Sequence, residues 1–260
     1  MSHTEFDNRM KAYEHADRQF LPESPYYIIR LDGKAFHTYT RQLKDKRQSD
    51  PFSSDLKDAF VESCLGLGKE VEGAMAVYTQ SDEVSILVRG FEPEKPNRTP
   101  WFGGNVQKWV SVSSSILTAV FNWKIDRANE HVPFAFFDSR VFGLPEKEVN
   151  NYFVWRQKDA IRNSVSMYAQ HNFSHKSLHG VDTMGQKSRL SEAGLDWEAL
   201  DQWKQRGTLI ARVKKNYIAS WTDRQGNDHE EPAQRSVWEP IDLPLFTDKN
   251  IFDIVRDENK

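Results

Sequence analysis

An α+β fold is predicted for this chain, on three observations. Residues 26–31 (Tyr-Tyr-Ile-Ile-Arg-Leu) form an apolar, β-prone run that stops at Asp32-Gly33. In residues 75–88, two more β-prone runs flank Ser81-Asp82-Glu83, and residues 133–137 (Pro-Phe-Ala-Phe-Phe) run into Asp138. Between these strands lie two stretches whose apolar residues recur at helical spacing. The order is therefore strand, helix, hairpin, helix, strand. That βαββαβ pattern is the ferredoxin-like sheet, with its helices on one face. Such a sheet would bring three acidic strand ends close together.

Taken in order, the chain begins with a charged stretch in which Phe6, Met10 and Tyr13 are near helical spacing. It reads as a short amphipathic helix ended before Pro22. After the first strand, residues 37–51 are polar and read as a solvated loop; their Arg41, Lys44, Lys46 and Arg47 suit a triphosphate or an RNA end. Leu56, Phe60, Cys64, Leu67 and Val71 mark the next helix, with Ser53 or Ser54 as N-cap and Gly73 at its end. Cys64 lies on that apolar stripe and reads as a buried, inert thiol. Past the hairpin and the loop of Pro93, Pro96 and Pro100, a second helix over residues 106–123 places Trp109, Val112 or Ser113, Ile116, Val120 and Trp123 on one face. Ser113, Ser114 and Ser115 within it suggest close packing against a sheet.

Residues 1–145 thus hold the βαββαβ unit, and residues 146–260 form a helical and β-ribbon extension packed on it as one unit. Residues 147–170 are helical, with a polar stripe of Tyr152, Arg156, Asp159, Asn163, Ser166 and Gln170 and an apolar one of Val154, Ile161, Val165 and Tyr168. His171, His175 and His179 would share a face if that helix continued. Asn172-Phe-Ser and Gly180 interrupt it, so a phosphate-contacting patch with Lys176, Lys187 and Arg189 is a better reading than a zinc site. Residues 183–206 are polar and helical. Residues 209–213, 217–221 and 236–238 suggest an antiparallel ribbon turning at 223–227, and 240–260 an acidic tail closed by a short helix.

Composition bounds the function without naming it. The sequence has 260 residues, 35 of them basic and 38 acidic, for a net charge of −3, so any contact with nucleic acid must come from a local patch. A single cysteine excludes an internal disulfide and a cysteine zinc site. No apolar run approaches the length of a membrane span and no signal peptide is visible, so a cytoplasmic protein is the simplest reading.

The chemistry lies in the acidic strand ends. If their strands are neighbours, Asp32 and Asp82 can share Mg²⁺, which takes few protein oxygens and completes its shell with water and phosphate. Taken singly, Asp32-Gly33 reads as a turn and Ser81-Asp82-Glu83 as a hairpin tip.

Together they carry a resemblance. Asp32-Gly33-Lys34-Ala35-Phe36-His37 and Gln80-Ser81-Asp82-Glu83 resemble the signature motifs of the tRNA-histidine guanylyltransferase family, as do Phe137-Asp138-Ser139-Arg140-Val141 and the Tyr152-to-Asp159 segment. The likeness spans residues 10–250 and is nearest to the bacterial and phage-type members. It implies a sheet similar to a polymerase palm. It also implies 3′-to-5′ nucleotidyl transfer, in which the 3′-hydroxyl of a nucleoside triphosphate attacks an activated tRNA 5′ end and releases pyrophosphate. GTP and ATP would be substrates, two Mg²⁺ the cofactors, and a dimer of dimers the assembly.

On that resemblance Asp32, Asp82 and Glu83 are the expected catalytic residues, with Asp32, Asp82 and the Gly33 carbonyl on the metals. Ser81 and the backbone of Gly33, Lys34, Ala35, Phe36 and His37 would cradle phosphates. Glu83 would act from behind the metal ligands. Arg30, Lys44, Arg140, Arg156, Gln157 and Asn163 would meet substrate or RNA. Eukaryotic members carry a His-Ile-Asn-Asn run where this chain has Ile161-Arg162-Asn163-Ser164, and Asp50-Pro51 stands nearest their loop Lys-Pro pair. The resemblance therefore does not extend to activating a 5′-monophosphate by the eukaryotic route. A nucleotide cyclase shares the two-metal logic but has no use for the basic loop and polar helix. A non-catalytic RNA-binding protein would not face RNA phosphates with bare carboxylates.

Overall fold

The computed structural model describes residues 3–43, 50–92, 94, 99–125 and 133–257. One six-stranded antiparallel sheet runs through it in the order β4-β1-β3-β2-β5-β6. Strand β1 (Tyr26–Gly33) lies between β3 (Glu83–Arg89) and β4 (Phe137–Leu144), and β2 (Ala74–Gln80) between β3 and β5 (Thr208–Thr222). The sheet ends at β6 (Asp228–Ile241). Alternation along the strands sorts their side chains cleanly. Tyr27, Ile29 and Leu31 of β1 join one core with Val84, Ile86 and Val88, while Ile28 joins the other with Leu87, Ala76 and Tyr78.

Helices cover both faces, which corrects the expectation of one. The β1 side with Ile29 packs on α3 (Ser54–Glu70) and α4 (Val106–Lys124) through Phe60, Leu67, Trp109, Leu117 and Phe121. The opposite face is closed by α5 (Glu146–Asn172) and the last helix, α6 (Ile251–Asp257), with Phe153, Leu243, Phe246 and Phe252 between. A strand buried on both sides needs two covers, and the unbroken apolar run of β1 already says so.

Several elements depart from the sequence reading for identifiable reasons. The polar stretch after Gly33 opens as helix α2 (Phe36–Leu43) because Phe36 and Tyr39, one turn apart, both reach the core. Residues 44–49, including Lys44, Lys46 and Arg47, lie outside the described residues. Strand β4 starts at Phe137, where the expected strand of residues 133–137 stops, since it pairs with β1 from Gly33↔Phe137 to Tyr26↔Leu144. Helix α4 buries Trp109, Ser113, Leu117 and Phe121, a row of four-residue steps, and leaves Trp123 exposed. The expected fragments 209–213 and 217–221 merge into the single 15-residue strand β5, and 236–238 falls within β6, paired with it from Leu209↔Ile241 out to Thr222↔Asp228. Helix α1 (His3–Ala16) forms as expected but buries none of its residues, so Phe6, Met10 and Tyr13 face solvent. Ser53 caps α3 by accepting from the Leu56 amide at 3.3 Å, and Cys64 is fully buried, which pushes its thiol pKa far up. No helix among the described residues is long and apolar enough to cross a membrane.

The α4 assignment has a direct test. Phe121→Ala should cost about 3–5 kcal/mol in urea unfolding, as for a fully buried ring. Trp123→Ala should stay within about 0.5 kcal/mol of the parent. Equal costs would place the buried face where the sequence spacing first put it.

Candidate active site

Register assembles the site. Asp32, near the end of β1, stands opposite Glu83 on β3 and opposite Asp138 on β4. One step back along β1 on the same face, Arg30 faces Ser85 and Arg140. One step forward, the ladder continues as the Lys34 amide donates to the Phe136 carbonyl at 2.8 Å. This face, shared with Ile28, is the one under α5. A row of carboxylates thus runs across three strands, next to a row of guanidiniums.

Asp82 joins from the turn. Gln80 pairs with Glu83, so Ser81 and Asp82 make a two-residue hairpin loop. Ser81 takes a left-handed φ of 51° and donates its hydroxyl to Asp82 Oδ1 at 3.1 Å. Burial is the main force that raises the Asp82 pKa above its ordinary value, and the negative charges of Asp32 and Glu83 add to it. Its own backbone amide and Ser81 pull the other way. Two acidic groups held this close, one of them partly desolvated, suit a cation that neutralises both.

Glu83 has a different environment. Its Oε2 accepts from Arg30 Nη2 and Arg156 Nη1, both at 2.8 Å, and its side chain is only 6% exposed. Its Oε1 is buried without a hydrogen-bond partner among the described residues, as are Nε of Arg30 and of Arg156. Trp155 lies over the Arg156 guanidinium at 3.6 Å, and Asp159 reaches Arg156 Nη2 at 3.6 Å. Beside this cluster the hydroxyls of Ser85 and Tyr152 meet at 2.7 Å.

The loop after Asp32 follows from packing. Gly33 must be glycine, because a Cβ there would come within 2.6 Å of the Phe36 ring. Phe36 drops into an aromatic cluster with Phe60, Phe121 and Phe137, and Ala35 takes a left-handed φ of 51° to start α2. The Ala35 carbonyl receives the amides of Thr38 and Tyr39. The amides of Ala35, Phe36 and His37 are left with no backbone acceptor among the described residues. They open a helix and form an anion-binding end.

Three expected contacts are relocated. Lys34 contributes its side chain alone, because its amide is taken by Phe136. Arg156, 4% exposed, is turned into the sheet by Glu83 and is withdrawn from any RNA surface. Gln157, 3% exposed, clamps the chain before α6: its Nε2 donates to the Pro244 carbonyl and its Oε1 accepts from the Phe246 amide. The polar stripe of α5 therefore points inward at Tyr152 and Arg156, because the sheet beneath offers Ser85 and Glu83. Asn163 and Arg140 are exposed, the latter paired with Asp138 at 3.1 Å. Sequence reading missed the Ser85–Tyr152 pair; its signal was that Tyr152 and Arg156 share one helical row, facing a strand with polar residues at every second position. Among the described residues no set of three or more His, Cys, Asp and Glu side chains could hold a metal, His171, His175 and His179 included.

Comparison with known proteins gives this geometry its setting. The profile of the tRNAHis guanylyltransferase family matches residues 7–145, the stretch that carries Asp32, Asp82 and Asp138. This chain belongs to that family. It is accordingly a nucleotidyltransferase. It is similar to a bacterial tRNA(His) guanylyltransferase-like protein solved in complex with ATP, at 37% identity and TM-score 0.79 over 97% of this chain and 98% of that one. A bacterial protein of the same description in complex with GTP aligns at 35% identity and TM-score 0.72, over 96% of this chain and 99% of that one. The tRNA(His) guanylyltransferase of Debaryomyces hansenii is 22% identical over 235 residues, 84% of this chain and 83% of its own.

The raised Asp82 pKa predicts a pH-dependent penalty. A carboxyl that holds its proton more tightly when folded destabilises the folded state once it ionises. Without metal, Asp82→Asn should therefore raise the urea midpoint at pH 7. The gain should shrink as pH falls through the raised value and vanish below the ordinary aspartate value of 3.8. A gain unchanged at pH 3, or a loss at pH 7, would contradict the crowding of Asp82 and Asp32.

Proposed function

We propose that the chain adds nucleotides to the 5′ end of tRNA in the 3′-to-5′ direction. The observation that carries this reading is the meeting of Asp32 and Asp82 beside the open amides of Ala35, Phe36 and His37. The amides take the phosphates of an incoming GTP or ATP, the nucleotides held in the two similar bacterial structures. The ribose 3′-hydroxyl of that nucleotide attacks the α-phosphorus of an RNA 5′-triphosphate. A phosphodiester bond forms, pyrophosphate leaves, and the hydroxyl proton passes to solvent.

Magnesium fits the donor set. Asp32, Asp82 and the Gly33 carbonyl would hold it, and few protein oxygens with room for phosphate are what Mg²⁺ prefers. When bound, it supplies charge for the triphosphate, a lower pKa for the attacking hydroxyl and relief of charge on the departing pyrophosphate. Glu83, already committed to Arg30 and Arg156, positions these groups from behind. Arg140, Lys34, Asn163 and Lys44 are the residues we assign to substrate phosphates or RNA.

In this reading residues 1–145 act as a ferredoxin-like, palm-like catalytic unit, and residues 146–260 as an extension integrated with it. The active species is a homo-oligomer, a dimer of dimers, in the cytoplasm. Templated repair of a shortened 5′ end is favoured over addition of one guanosine to full-length histidine tRNA, because the likeness is nearer to the bacterial members than to the eukaryotic ones.

The test offers purified protein and Mg²⁺ two labelled tRNA transcripts, one full length and one lacking its first nucleotide. Each carries a 5′-mono- or 5′-triphosphate and meets all four nucleotides. Extension of the shortened tRNA by the nucleotide matching the opposing base is expected, with loss of about a hundred- to a thousandfold in Asp32→Ala and Asp82→Ala, what one removed charge-stabilising group costs. Guanosine added to full-length histidine tRNA regardless of template would overturn the repair assignment. No extension of any RNA would overturn the whole reading.

A further inference from the structure

Phe136 is an exposed aromatic ring in a position where mere exposure is a poor description. It is 56% exposed, and among the described residues its ring packs on no other aromatic ring. Yet its backbone is fixed on both sides. Its carbonyl accepts the Lys34 amide at 2.8 Å, one residue past the last paired position of β1. The next residue back, Ala135, is 2% exposed and held twice by the side chain of Asn122, which donates to its carbonyl at 2.8 Å and accepts its amide at 2.9 Å. Ala135 and Phe137 both point into the α3–α4 core. Alternation therefore sends Phe136 to the opposite face, the one that carries Asp138, Asp32 and Arg140.

Lone exposed apolar residues are ordinary. This one is ordered, sits at the rim of the carboxylate row and belongs to the edge of the sheet. Among the described residues strand β4 pairs with β1 alone and has no strand on its outer side. The incoming triphosphate is taken from the α2 side, where the open amides are. The β4 side is the other flank of the carboxylate row, and Arg140, on the same face four residues on, offers its guanidinium to the phosphates of a polynucleotide end approaching there. Ends of single strands are held by stacking of a base on an aromatic face, which needs no particular base.

We propose that Phe136 is the platform on which the 5′-terminal nucleobase of the RNA stacks while its phosphate is presented to Asp32 and Asp82. This inference rests on the 5′-end reading above and adds a contact for the acceptor rather than for the incoming nucleotide. Stacking tolerates any base, as a repair enzyme that meets different 5′ ends requires.

The test uses a short hairpin RNA with 2-aminopurine as its 5′-terminal base, whose fluorescence is quenched by stacking. Binding is followed with Mg²⁺ and no nucleotide, so that catalysis is not needed. The wild-type protein should quench the probe; Phe136→Ala and Phe136→Leu should lose the quench and bind the RNA about tenfold more weakly, and Phe136→Trp should keep both. In steady-state extension, Phe136→Ala should raise KM for RNA and leave KM for the nucleotide unchanged. The same quench in Phe136→Ala as in the wild type, or a rise confined to the nucleotide KM, would overturn the proposal while leaving the transferase reading intact. Quenching lost in Phe136→Ala by a protein that extends no RNA would instead keep the platform and remove the reaction. Circular dichroism of Phe136→Ala should match the parent, since the ring is exposed.

Discussion

The buried carboxylate of Glu83, gripped by Arg30 from the sheet and Arg156 from α5, is the constraint on which the rest of the site depends. Three ionised groups in so little water are stable only when their geometry is satisfied. Only one placement of α5 on the sheet offers Arg156 to Glu83, Tyr152 to Ser85 and Gln157 to the Pro244–Phe246 segment at once. The same grip decides which acids are left for chemistry. Glu83 is occupied by its arginines, so the crowding that burial and charge impose falls on Asp82 with Asp32 beside it. A carboxylate fixed from behind and two in front give a site its order before any ligand arrives.

Backbone conformation repeats the theme. Ala35 and Ser81, two of the three non-glycine residues with positive φ among the described residues, flank Asp32 and Asp82. Neither has a side chain that favours the left-handed region, so both carry a local cost that the surrounding packing overrides. Phe36, locked among aromatic rings, holds the first in place, and the β2–β3 ladder holds the second. The core under α3 and α4 thereby sets where the open amides of Ala35, Phe36 and His37 point.

Much of this was legible in the sequence because local signals and tertiary demands agreed. The apolar run ending at Asp32-Gly33, the hairpin around Ser81-Asp82 and the cap at Ser53 each have a mechanism within a few residues. What was hidden needed knowledge of the partner surface. Nothing in residues 37–43 advertises a helix until Phe36 and Tyr39 are seen to share a pocket. The polar stripe of α5 looks solvated until Glu83 and Ser85 are found beneath it. The family resemblance alone put Gln157 at the substrate; its actual partners are backbone groups of a segment 87 and 89 residues away, which no side-chain pattern encodes. Phe136 drew no attention as one apolar residue in an apolar run; only the pairing of β4 with β1 turns it toward the acids.

The central claim is that Asp32, Asp82 and the amides at the start of α2 form one unit that takes a triphosphate together with its metal. Calorimetric titration of a non-hydrolysable GTP analogue tests it most directly, into the wild-type protein and Asp82→Asn, each with Mg²⁺ and with EDTA. Binding that needs Mg²⁺ in the wild type and is lost in the variant is the predicted result. Equal affinity in EDTA, or in the variant, would contradict the account.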